Sequence, residues 1–307
     1  MPSFKYFFEN PRQIAVPFIT HYCRWLPDRL YLKLLFRAKV GYRLNLKNPK
    51  TFCEKLQWLK LYDRRPEYTT MVDKYAVKGY VASIIGEEYI IPTLGVWDRG
   101  EDIEWDTLPN QFVLKTTHSG GSTGVVICRD KSKFDREKAV QVLNESLKDE
   151  YYSLLREWPY KNVQKRIIAE KYLQPDSSLD DLSDYKFYCF NGEPKLFYIT
   201  SDRSSATGLN EDFFDIEGRL LPVQQKGEKN SAVTPPLPRN LSLMLSLARK
   251  LSNDIPHVRV DFYEINNEVY FGEMTFFCGS GFAPFQPFDW EYKIGDFITL
   301  PHREKHG

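Results

Sequence analysis

The sequence predicts an α+β protein that is built from antiparallel β-hairpins and amphipathic helices. Runs rich in Val, Phe and Tyr lie on both sides of two short turns, Asn191-Gly192 and Asn266-Asn267, and this pattern is the signal of a hairpin. Other segments carry apolar residues that recur at helical spacing. The length of 307 residues allows two or three subdomains with a sizeable core.

The composition bounds the compartment and the partners of the protein. The net charge is only +1, so the protein lacks the large excess of positive charge that attracts nucleic acid, and no nucleic-acid partner is expected. No apolar run reaches the length of a transmembrane helix, and no signal-peptide segment follows the first basic residue. The five cysteines form no C-x-x-C pair, which indicates reduced thiols. These observations together predict a cytoplasmic protein.

Residues 1–70 are predicted to form a helical N-terminal segment. Leu26, Leu30 and Leu34 recur at helical spacing, and basic residues interleave with them. Such a segment can rest on a membrane surface, but an ordinary helix with a solvated face is commoner and is favoured here. Thr51 and Glu54, three residues apart, form the signature of a capping box and predict that a helix follows over residues 52–62.

The next predicted helix begins at Met71 and carries two lysines. Lys74 and Lys78 are four residues apart, so both ammonium groups are expected to project from one face of this helix. Exposure of both side chains to solvent is the simpler alternative.

A short strand ends at Lys115, and a loop rich in glycine and hydroxyl residues joins it to a second strand over residues 125–128. The spacing of the loop is neither that of the Walker P-loop nor that of the Rossmann fingerprint. Such a loop offers backbone N–H groups to phosphates, although many loops of this kind are simple hairpin connections. Because a lysine that interrupts a buried strand needs an anionic partner, Lys115 favours phosphate binding.

The chain continues with a helix predicted over residues 133–158 and a strand over residues 167–173 that carries Glu170 and Lys171. The hairpin around Asn191-Gly192 follows, and Lys186 interrupts its aromatic first strand. A loop rich in Pro, Ser and Lys over residues 226–238 is predicted to be mobile or to face the substrate, and a helix over residues 240–253 precedes the last hairpin.

The last hairpin, within residues 259–281, carries one carboxylate in each strand, Asp261 and Glu273. Opposed residues in a hairpin have a constant index sum, so an odd loop or a single bulge would place Asp261 directly across from Glu273. Two facing carboxylates repel unless a cation lies between them, and oxygen ligands without His or Cys suit Mg²⁺. A plain two-residue turn would instead separate the two carboxylates onto opposite faces, and the hairpin alone does not decide between these alternatives.

The order of these motifs resembles the ATP-grasp superfamily. The resemblance is closer to the TupA-like ATP-grasp family, in the runs N-P-K-T-F-C-E-K-L-Q-W-L-K-L-Y-D-R, L-P-N-Q-F-V-L-K, D-Y-K-F-Y-C-F-N-G, V-R-V-D-F-Y and G-E-M-T-F. It covers about residues 48–301. That family is associated with the biosynthesis of teichuronopeptide and other bacterial surface polysaccharides.

The resemblance implies an ATP-grasp fold in which two α+β subdomains clasp ATP between antiparallel sheets, with a helical N-terminal extension over residues 1–70. Residues 71–172 would form the first part of this fold with the Gly/Ser-loop lid. Residues 173–307 would form the C-terminal subdomain with the metal site.

The resemblance also implies roles for single residues. Lysines at positions 74 and 115 match family lysines that contact nucleotide phosphates, Glu170 matches the acid that binds the ribose, and Lys171 and Leu173 lie near the adenine. His118 lies in the loop, where a phosphate contact and an ordinary polar turn position are both consistent with the sequence. Nucleotide binding is assigned to Lys74, Lys115, His118, Ser119, Gly120, Gly121, Ser122, Thr123, Gly124, Glu170, Lys171 and Leu173.

Catalysis and metal binding are assigned in the same way. Arg259 matches an arginine that contacts the transferred phosphate, and Lys186 suits contact with a phosphate or a substrate carboxylate. Asp261 and Glu273 match ligands of Mg²⁺. Many ATP-grasp ligases carry Asn two residues after the metal-binding Glu, where this chain has Thr275. Its hydroxyl is assigned to the metal site, where it would hold a second metal ion unless that ion is weakly bound, and the number of metal ions stays open.

The implied reaction is that of an ATP-dependent ligase. A substrate carboxylate attacks the γ-phosphate of ATP, and an amine then captures the acyl-phosphate to give an amide. The residue types agree, because phosphoryl transfer needs positioning and charge neutralisation more than a protein nucleophile. The expected substrates are a uronic-acid-containing glycan or its precursor and an amine or amino acid, with ATP and Mg²⁺ as cofactors. Peripheral association with the machinery of glycan assembly is a further expectation.

Three other functions stay open at this point. A sugar or glycan kinase would use the same nucleotide scaffold and stop after phosphoryl transfer. A glycosyltransferase is suggested by the association of the family with polysaccharides and by the 15% of aromatic residues. Sheets with an aromatic face are the favoured explanation of these aromatics, and no D-x-D motif between strands is evident. A scaffold protein with a degenerate site is the alternative that involves no catalysis.

Overall fold

The structure is a computed structural model that describes residues 11–121, 123–174, 183–201 and 209–302. Its helices are α1 (Pro11–Tyr22), α2 (Asp28–Lys39), α3 (Phe52–Tyr62), α4 (Glu67–Val72), α5 (Ala76–Ile85), α6 (Arg136–Lys148), α7 (Tyr151–Leu155), α8 (Leu241–Leu251) and α9 (Asp289–Asp296). Its strands are β1 (Thr93–Trp97), β2 (Phe112–Thr116), β3 (Val125–Cys128), β4 (Ile167–Lys171), β5 (Asp184–Phe190), β6 (Glu193–Ser201), β7 (Asn210–Asp215), β8 (Gln224–Gln225), β9 (His257–Ile265), β10 (Glu268–Thr275) and β11 (Phe285–Gln286).

Two antiparallel sheets organise these elements. The smaller sheet has four strands in the order β1-β4-β2-β3, and the larger has five in the order β10-β9-β5-β6-β7. Strands β8 and β11 form a separate pair. The mixture of helices with antiparallel sheets confirms the predicted α+β class. Within the described ranges, no helix combines the length and the apolar character needed to cross a membrane.

The helices before residue 86 share one hydrophobic core with the five-stranded sheet. Leu35 and Phe36 of α2 and Leu56 of α3 are fully buried in the same cluster as Phe187 and Phe262 of the sheet. Helix α3 has the predicted bounds because its capping box forms. The Glu54 N–H donates to the Thr51 hydroxyl at 3.2 Å, and the Thr51 N–H donates to the Glu54 carboxylate at 3.3 Å.

The four-stranded sheet builds a second core with helix α6. Phe112, Leu114 and Ala169 of the sheet pack with Leu143 of the helix, and all four side chains are buried. Strands β2 and β3, on either side of the Gly/Ser loop, pair directly from Phe112 with Cys128 to Lys115 with Val125. The loop therefore lies at one edge of a sheet with its own core.

The helix predicted to run from Met71 through Lys78 is interrupted, and this correction moves Lys74. The Asp73 carboxylate accepts hydrogen bonds from the N–H groups of Tyr75 at 2.8 Å and Ala76 at 3.1 Å, which turns the chain between α4 and α5. Lys74 therefore lies in a turn and Lys78 lies in α5. The prediction that both project from one helix face is wrong.

The helix predicted over residues 133–158 is also broken. Helix α6 ends before Asp149, and the short α7 ends at Arg156, which has left-handed φ and ψ of 57° and 36°. Tertiary contacts hold Arg156 in place, since its guanidinium lies 4.2 Å from the centre of the Tyr31 ring and 3.2 Å from the Asp28 carboxylate. Contacts with α2 thus override the helical propensity of the segment.

The hairpin of β5 and β6 closes as the sequence predicts. Asn191 and Gly192 both have positive φ, 49° and 84°, as a type I′ turn requires. Helix α8 covers the sheet on one side with Met244, Leu247 and Leu251, all buried. The opposite side of the sheet is the side that carries the predicted site.

Candidate active site

The last hairpin, β9–β10, combines a two-residue turn with a bulge. Ile265 pairs with Glu268 across Asn266 and Asn267, which both have positive φ. That turn alone would place Glu273 opposite Val260. The register shifts at Gly272, however, and Glu273 lies directly opposite Asp261. Either an odd loop or a single bulge could have placed the two carboxylates opposite each other, and this chain uses the bulge.

Gly272 makes this bulge possible because its backbone approaches the opposite strand closely. A Cβ atom added at Gly272 would lie 3.2 Å from the Asp261 carbonyl oxygen and 3.1 Å from the Tyr263 ring. Any larger residue would push one of these groups away. This glycine within strand β10 therefore positions the Glu273 carboxylate.

Opposed residues in antiparallel strands point to the same face, so the register defines a polar row across the sheet. Tyr198 of β6 pairs with Lys186 of β5, Lys186 pairs with Asp261 of β9, and Asp261 pairs with Glu273 of β10. Arg259 pairs with Thr275 one step further along the strands. The structure thus brings together all five residues that the sequence assigned to catalysis and metal binding.

Arg259 joins the three predicted metal ligands. Its guanidinium donates to both oxygens of Asp261 at 2.7 Å, to Glu273 at 2.7 Å and to the Thr275 hydroxyl at 3.1 Å. Lys186 adds a contact of 2.5 Å to Asp261. Asp261 is only 1% exposed, so its charge is balanced by these two cations.

The electrostatics of Glu273 favour the charged form. Burial alone would raise the pKa of Glu273, but the positive charges of Lys186, Arg259 and Lys74 outweigh it and lower the pKa to about 2. The side chain is 35% exposed, in contrast to Asp261. Glu273 is therefore an ionised carboxylate that a ligand can reach.

A second ion cluster lies on the four-stranded sheet around Glu170. The Glu170 carboxylate contacts the ammonium of Lys78 at 2.5 Å and that of Lys115 at 2.6 Å. Burial would raise the pKa of Glu170, but Lys115 and Lys78 lower it to about 2. Glu170 is thus the anionic partner that was expected for Lys115, the lysine that interrupts the buried strand. Ribose binding by Glu170 stays a prediction.

Lys74 connects the two clusters. Its ammonium donates to the Ser119 carbonyl, and its backbone N–H donates to the Thr117 carbonyl at 3.1 Å. Burial lowers the pKa of Lys74, and the negative charges of Glu273 and Glu170 act in the opposite direction. The charge of Lys74 thus interacts with the carboxylates of both clusters.

The Gly/Ser loop is fixed at its base. The Thr116 hydroxyl donates to the Ser119 hydroxyl at 2.9 Å, and Gly124 has a φ of 67° with no room for a Cβ atom. A Cβ atom at Gly120 would clash with the Tyr151 hydroxyl at 2.5 Å, whereas none of the described atoms lies within 4 Å of one at Gly121. The loop therefore combines close packing with one open glycine. Other predicted loop residues include Thr123, which is exposed, and Ser122, which lies outside the described residues.

His118 is buried against helix α6. It is 2% exposed, and its Nε2 lies 3.1 Å from the Ser146 carbonyl. Burial lowers the pKa of His118, so the ring is neutral near pH 7. These contacts account for its place in the loop, and a phosphate contact stays a prediction. The same holds for the adenine contacts of Lys171, which is exposed, and Leu173, which is half-buried.

Three residues near the site were not assigned by the sequence. Lys78 shares Glu170 with Lys115, and its spacing of four from Lys74 was the signal available. Tyr198 accepts a hydrogen bond from Arg259 at 3.3 Å, and Glu211 on β7 lies beyond Tyr198. Neither Tyr198 nor Glu211 had a sequence signal, because strand order alone brings β6 and β7 to the site. Over the described ranges, His, Cys, Asp and Glu side chains form no group of three or more that is suited to a metal.

Comparison with known proteins identifies the family. The profile of the family described as TupA-like ATPgrasp matches residues 54–299. The chain belongs to the TupA-like ATP-grasp family. This membership confirms the predicted ATP-grasp fold and the assignment of the chain to the ATP-dependent ligases. No curated protein matches the sequence.

Several solved structures resemble this TupA-like ATP-grasp protein. A D-alanine–D-alanine ligase from Helicobacter pylori is 16% identical with a TM-score of 0.45 over 81% of this chain and 68% of that one. A D-alanyl-alanine synthetase A from Vibrio cholerae is 11% identical with a TM-score of 0.43 over 80% and 64%. A D-alanine–D-alanine ligase from Bacillus anthracis, complexed with ATP, is 14% identical with a TM-score of 0.38 over 67% and 53%.

Proposed function

We propose that this protein is a carboxylate–amine ligase that forms an amide on a uronic-acid-containing glycan or its precursor. It would act in the cytoplasm, in the biosynthesis of a bacterial surface polysaccharide, through an acyl-phosphate intermediate. The observation that carries the proposal is the pair of ion clusters, one on each sheet, with Lys74 electrostatically coupled to the carboxylates of both. A triphosphate that bridges the sheets would meet lysines on one side and Arg259 on the other.

The two clusters suit different parts of ATP. Lys74, Lys115 and the backbone of the Gly/Ser loop would bind the phosphates, since ammonium and N–H groups donate to phosphate oxygens. Glu170 would hold Lys115 in place or exchange this contact for a ribose hydroxyl. Arg259 and Lys186 would neutralise the negative charge that develops on the transferred phosphoryl group.

The residues present fit Mg²⁺ through an exposed carboxylate. Mg²⁺ with a nucleotide uses one or two protein carboxylates together with phosphate oxygens and water. Glu273 is ionised and accessible, and Asp261 would contribute once Arg259 turns toward phosphate. When bound there, Mg²⁺ would neutralise phosphate charge. The Thr275 hydroxyl, which donates to Glu273 at 3.2 Å, would orient that carboxylate or act as a third ligand.

The chemistry divides into two steps. A substrate carboxylate attacks the γ-phosphate and releases ADP, with Arg259 and Lys186 binding the phosphoryl oxygens. The amine then attacks the acyl carbon, the amide forms and inorganic phosphate leaves. Both steps rely on positioning and charge rather than on a protein nucleophile, which agrees with the residues gathered on this face.

The direct test is product formation from ATP, a panel of uronic acids and a panel of amino acids. We expect release of ADP and phosphate that depends on both the acid and the amine, with an amide mass increment in the product. An alternative function, phosphorylation of the glycan by a kinase on the same scaffold, would give a phosphate increment without any amine. That result would reject the ligase proposal.

Peripheral association with the machinery of glycan assembly is part of the same proposal. Helix α1 and the turn that follows it expose large apolar side chains, with Phe18 at 55%, Tyr22 at 63% and Trp25 at 79% exposure. Such exposed apolar surface supports a role in contact with a partner. Loss of Trp25 would then weaken co-purification with the assembly proteins while ATP turnover by the isolated protein stays unchanged.

A further inference from the structure

Glu211 is a buried carboxylate at the edge of the polar face. It pairs with Thr200 of β6, two residues along from Tyr198, so its side chain is on the same face as the row of site residues. It is 7% exposed, and its Oε2 atom is buried without a hydrogen-bond partner among the described residues. A buried carboxylate oxygen without a partner is costly, and such a group in a native structure needs an explanation.

The backbone around Glu211 is held firmly. Its N–H donates to the Lys229 carbonyl at 2.7 Å, and its carbonyl accepts from the Asn230 side chain at 2.9 Å. Both partners belong to the loop that the sequence predicted to face the substrate. Glu211 is therefore fixed to that loop through its backbone, while its side chain lies on the sheet face that carries Arg259.

The charged groups that act on Glu211 belong to the neighbouring loop and to strands β9 and β5. Burial raises the pKa of Glu211 first, and the carboxylate of Glu228 in the neighbouring loop raises it further. Arg259, Lys186 and a hydrogen bond with Tyr198 act in the opposite direction, and the pKa is about 7. The Arg259 guanidinium donates to the Tyr198 hydroxyl at 3.3 Å, so Tyr198 connects the carboxyl group to the phosphoryl-transfer centre.

The other carboxylates of the site differ from Glu211. Glu170, Asp261 and Glu273 each form an ion pair with a lysine or arginine within 2.7 Å. Glu211 has no such contact among the described residues, yet it lies on the same face. A structural ion pair does not explain it, whereas a cationic ligand would satisfy the free oxygen.

We propose that Glu211 forms the amine subsite, where its carboxylate binds the ammonium form of the nucleophile and accepts the proton that the amine loses. This inference rests on the proposed ligase function. In the second step the nitrogen forms a bond to the acyl carbon, and the carbon–oxygen bond to phosphate breaks. Glu211 takes the first proton from the ammonium before the attack, which frees the lone pair of the nitrogen. The phosphate leaves with the bonding electron pair and takes the second proton that the nitrogen loses as the amide forms.

The test compares two kinds of amine in the protein and its Glu211→Gln variant. Hydroxylamine is already neutral at pH 7 and traps an acyl-phosphate as a hydroxamate without a general base. Amino acids are largely ammonium ions at that pH and need to lose a proton. We expect Glu211→Gln to form hydroxamate from ATP and a uronic acid within about twofold of the wild-type rate. Amide formation with amino acids should fall about 100-fold, as loss of a general base predicts.

Two further measurements separate a proton acceptor from a structural residue. The rate of amide formation with amino acids should rise with pH as Glu211 ionises. Glu228→Gln should shift this rise to lower pH, because it removes a negative charge that raises the pKa of Glu211. Because the pKa is raised above that of the unfolded chain, wild-type stability should fall relative to Glu211→Gln as pH rises from about 4.5 to 7.

The outcomes distinguish this inference from the proposed function. Equal loss of both amine reactions in Glu211→Gln, or no loss of either, would overturn the amine subsite and leave the ligase function standing. Absence of hydroxamate from wild-type protein with every uronic acid tested would overturn both. A stability difference between wild type and Glu211→Gln that does not change with pH would also contradict a titrating Glu211.

Discussion

Glu170 shows how a single carboxylate can hold two lysines of the site. Lys78 and Lys115 both contact it. The side chain of Glu170 is 7% exposed, that of Lys78 12% and that of Lys115 22%. In such a mostly buried cluster, the loss of one charge leaves the others without compensation, and this costs more than the cluster contributes as a whole. The sequence identified Lys115 and Glu170 separately, but not their contact.

Replacement of Glu170 by Gln should lower the free energy of unfolding by about 3 kcal/mol at pH 7, because two buried ammonium groups lose their counter-ion. Urea unfolding measures this change. Glu193→Gln is the matched control, since Glu193 pairs with Arg249 on the surface with both side chains about half exposed. Its effect should be below about 1 kcal/mol. Equal effects of the two substitutions would contradict the buried cluster.

The effect of Glu170→Gln should also depend on pH. The pKa of Glu170 is depressed to about 2, so the stability that it contributes is present above the unfolded pKa and is lost as pH falls. The difference in unfolding free energy between wild type and Glu170→Gln should therefore shrink between about pH 4.5 and pH 2. A difference that stays constant over this range would show that Glu170 acts through packing rather than charge.

At the scale of elements, the β9–β10 hairpin decides whether the two predicted metal ligands, Asp261 and Glu273, lie opposite each other. The two-residue turn fits Asn266 and Asn267, and by itself it would direct the two carboxylates to opposite faces. The bulge at Gly272 shifts the pairing by one residue and thereby brings Glu273 opposite Asp261. The sequence stated both possibilities but did not locate the bulge, because the short distance between Gly272 and the Asp261 carbonyl exists only in the folded hairpin.

Replacement of Gly272 by Val should weaken ATP binding at least tenfold, because the new side chain meets the Tyr263 ring and the Asp261 carbonyl and displaces Glu273. Isothermal titration with ATP and Mg²⁺ measures this change. Gly79→Ala in α5 is the control, since the added methyl group meets none of the described atoms within 4 Å. It should keep the ATP affinity and stabilise the helix by about 0.5–1 kcal/mol. Unchanged ATP affinity in Gly272→Val would refute the role of the bulge.

At the scale of the whole molecule, the site is divided between two sheets with separate cores. One core joins the N-terminal helices to the five-stranded sheet, and the other joins α6 to the four-stranded sheet. Glu273 belongs to the first and Glu170 to the second, with Lys74 coupled to both. A nucleotide that bridges the sheets should therefore stabilise the molecule as a whole.

ATP with Mg²⁺ at 100 times its dissociation constant should stabilise the fold by about 2.7 kcal/mol and raise the Tm by several degrees. A nucleotide-sugar should have no such effect, and the opposite result would favour a glycosyltransferase. Lys115→Met should remove most of the ATP-dependent shift. Lys133→Met is the matched control, because Lys133 is 84% exposed and outside both clusters, and it should keep the shift.

The sequence by itself determined the α+β class, the family, the two hairpin turns and the cap of α3. These features depend on local backbone preferences and on short motifs, which neighbouring residues specify. The family resemblance also singled out Lys186, Arg259, Asp261, Glu273 and Thr275, which the structure places on one face of the sheet. Their roles in catalysis and metal binding stay predictions.

Only the tertiary structure decided which charges meet. The turn that contains Lys74 comes from the Asp73 carboxylate, the end of α7 from the contacts of Arg156 with α2, and the position of Glu211 from the order of strands β6 and β7. Each depends on residues far apart in the chain or on a competition between local hydrogen bonds and helix. Propensity and spacing do not encode such long-range pairings, because their free energies arise only when burial brings the charges together.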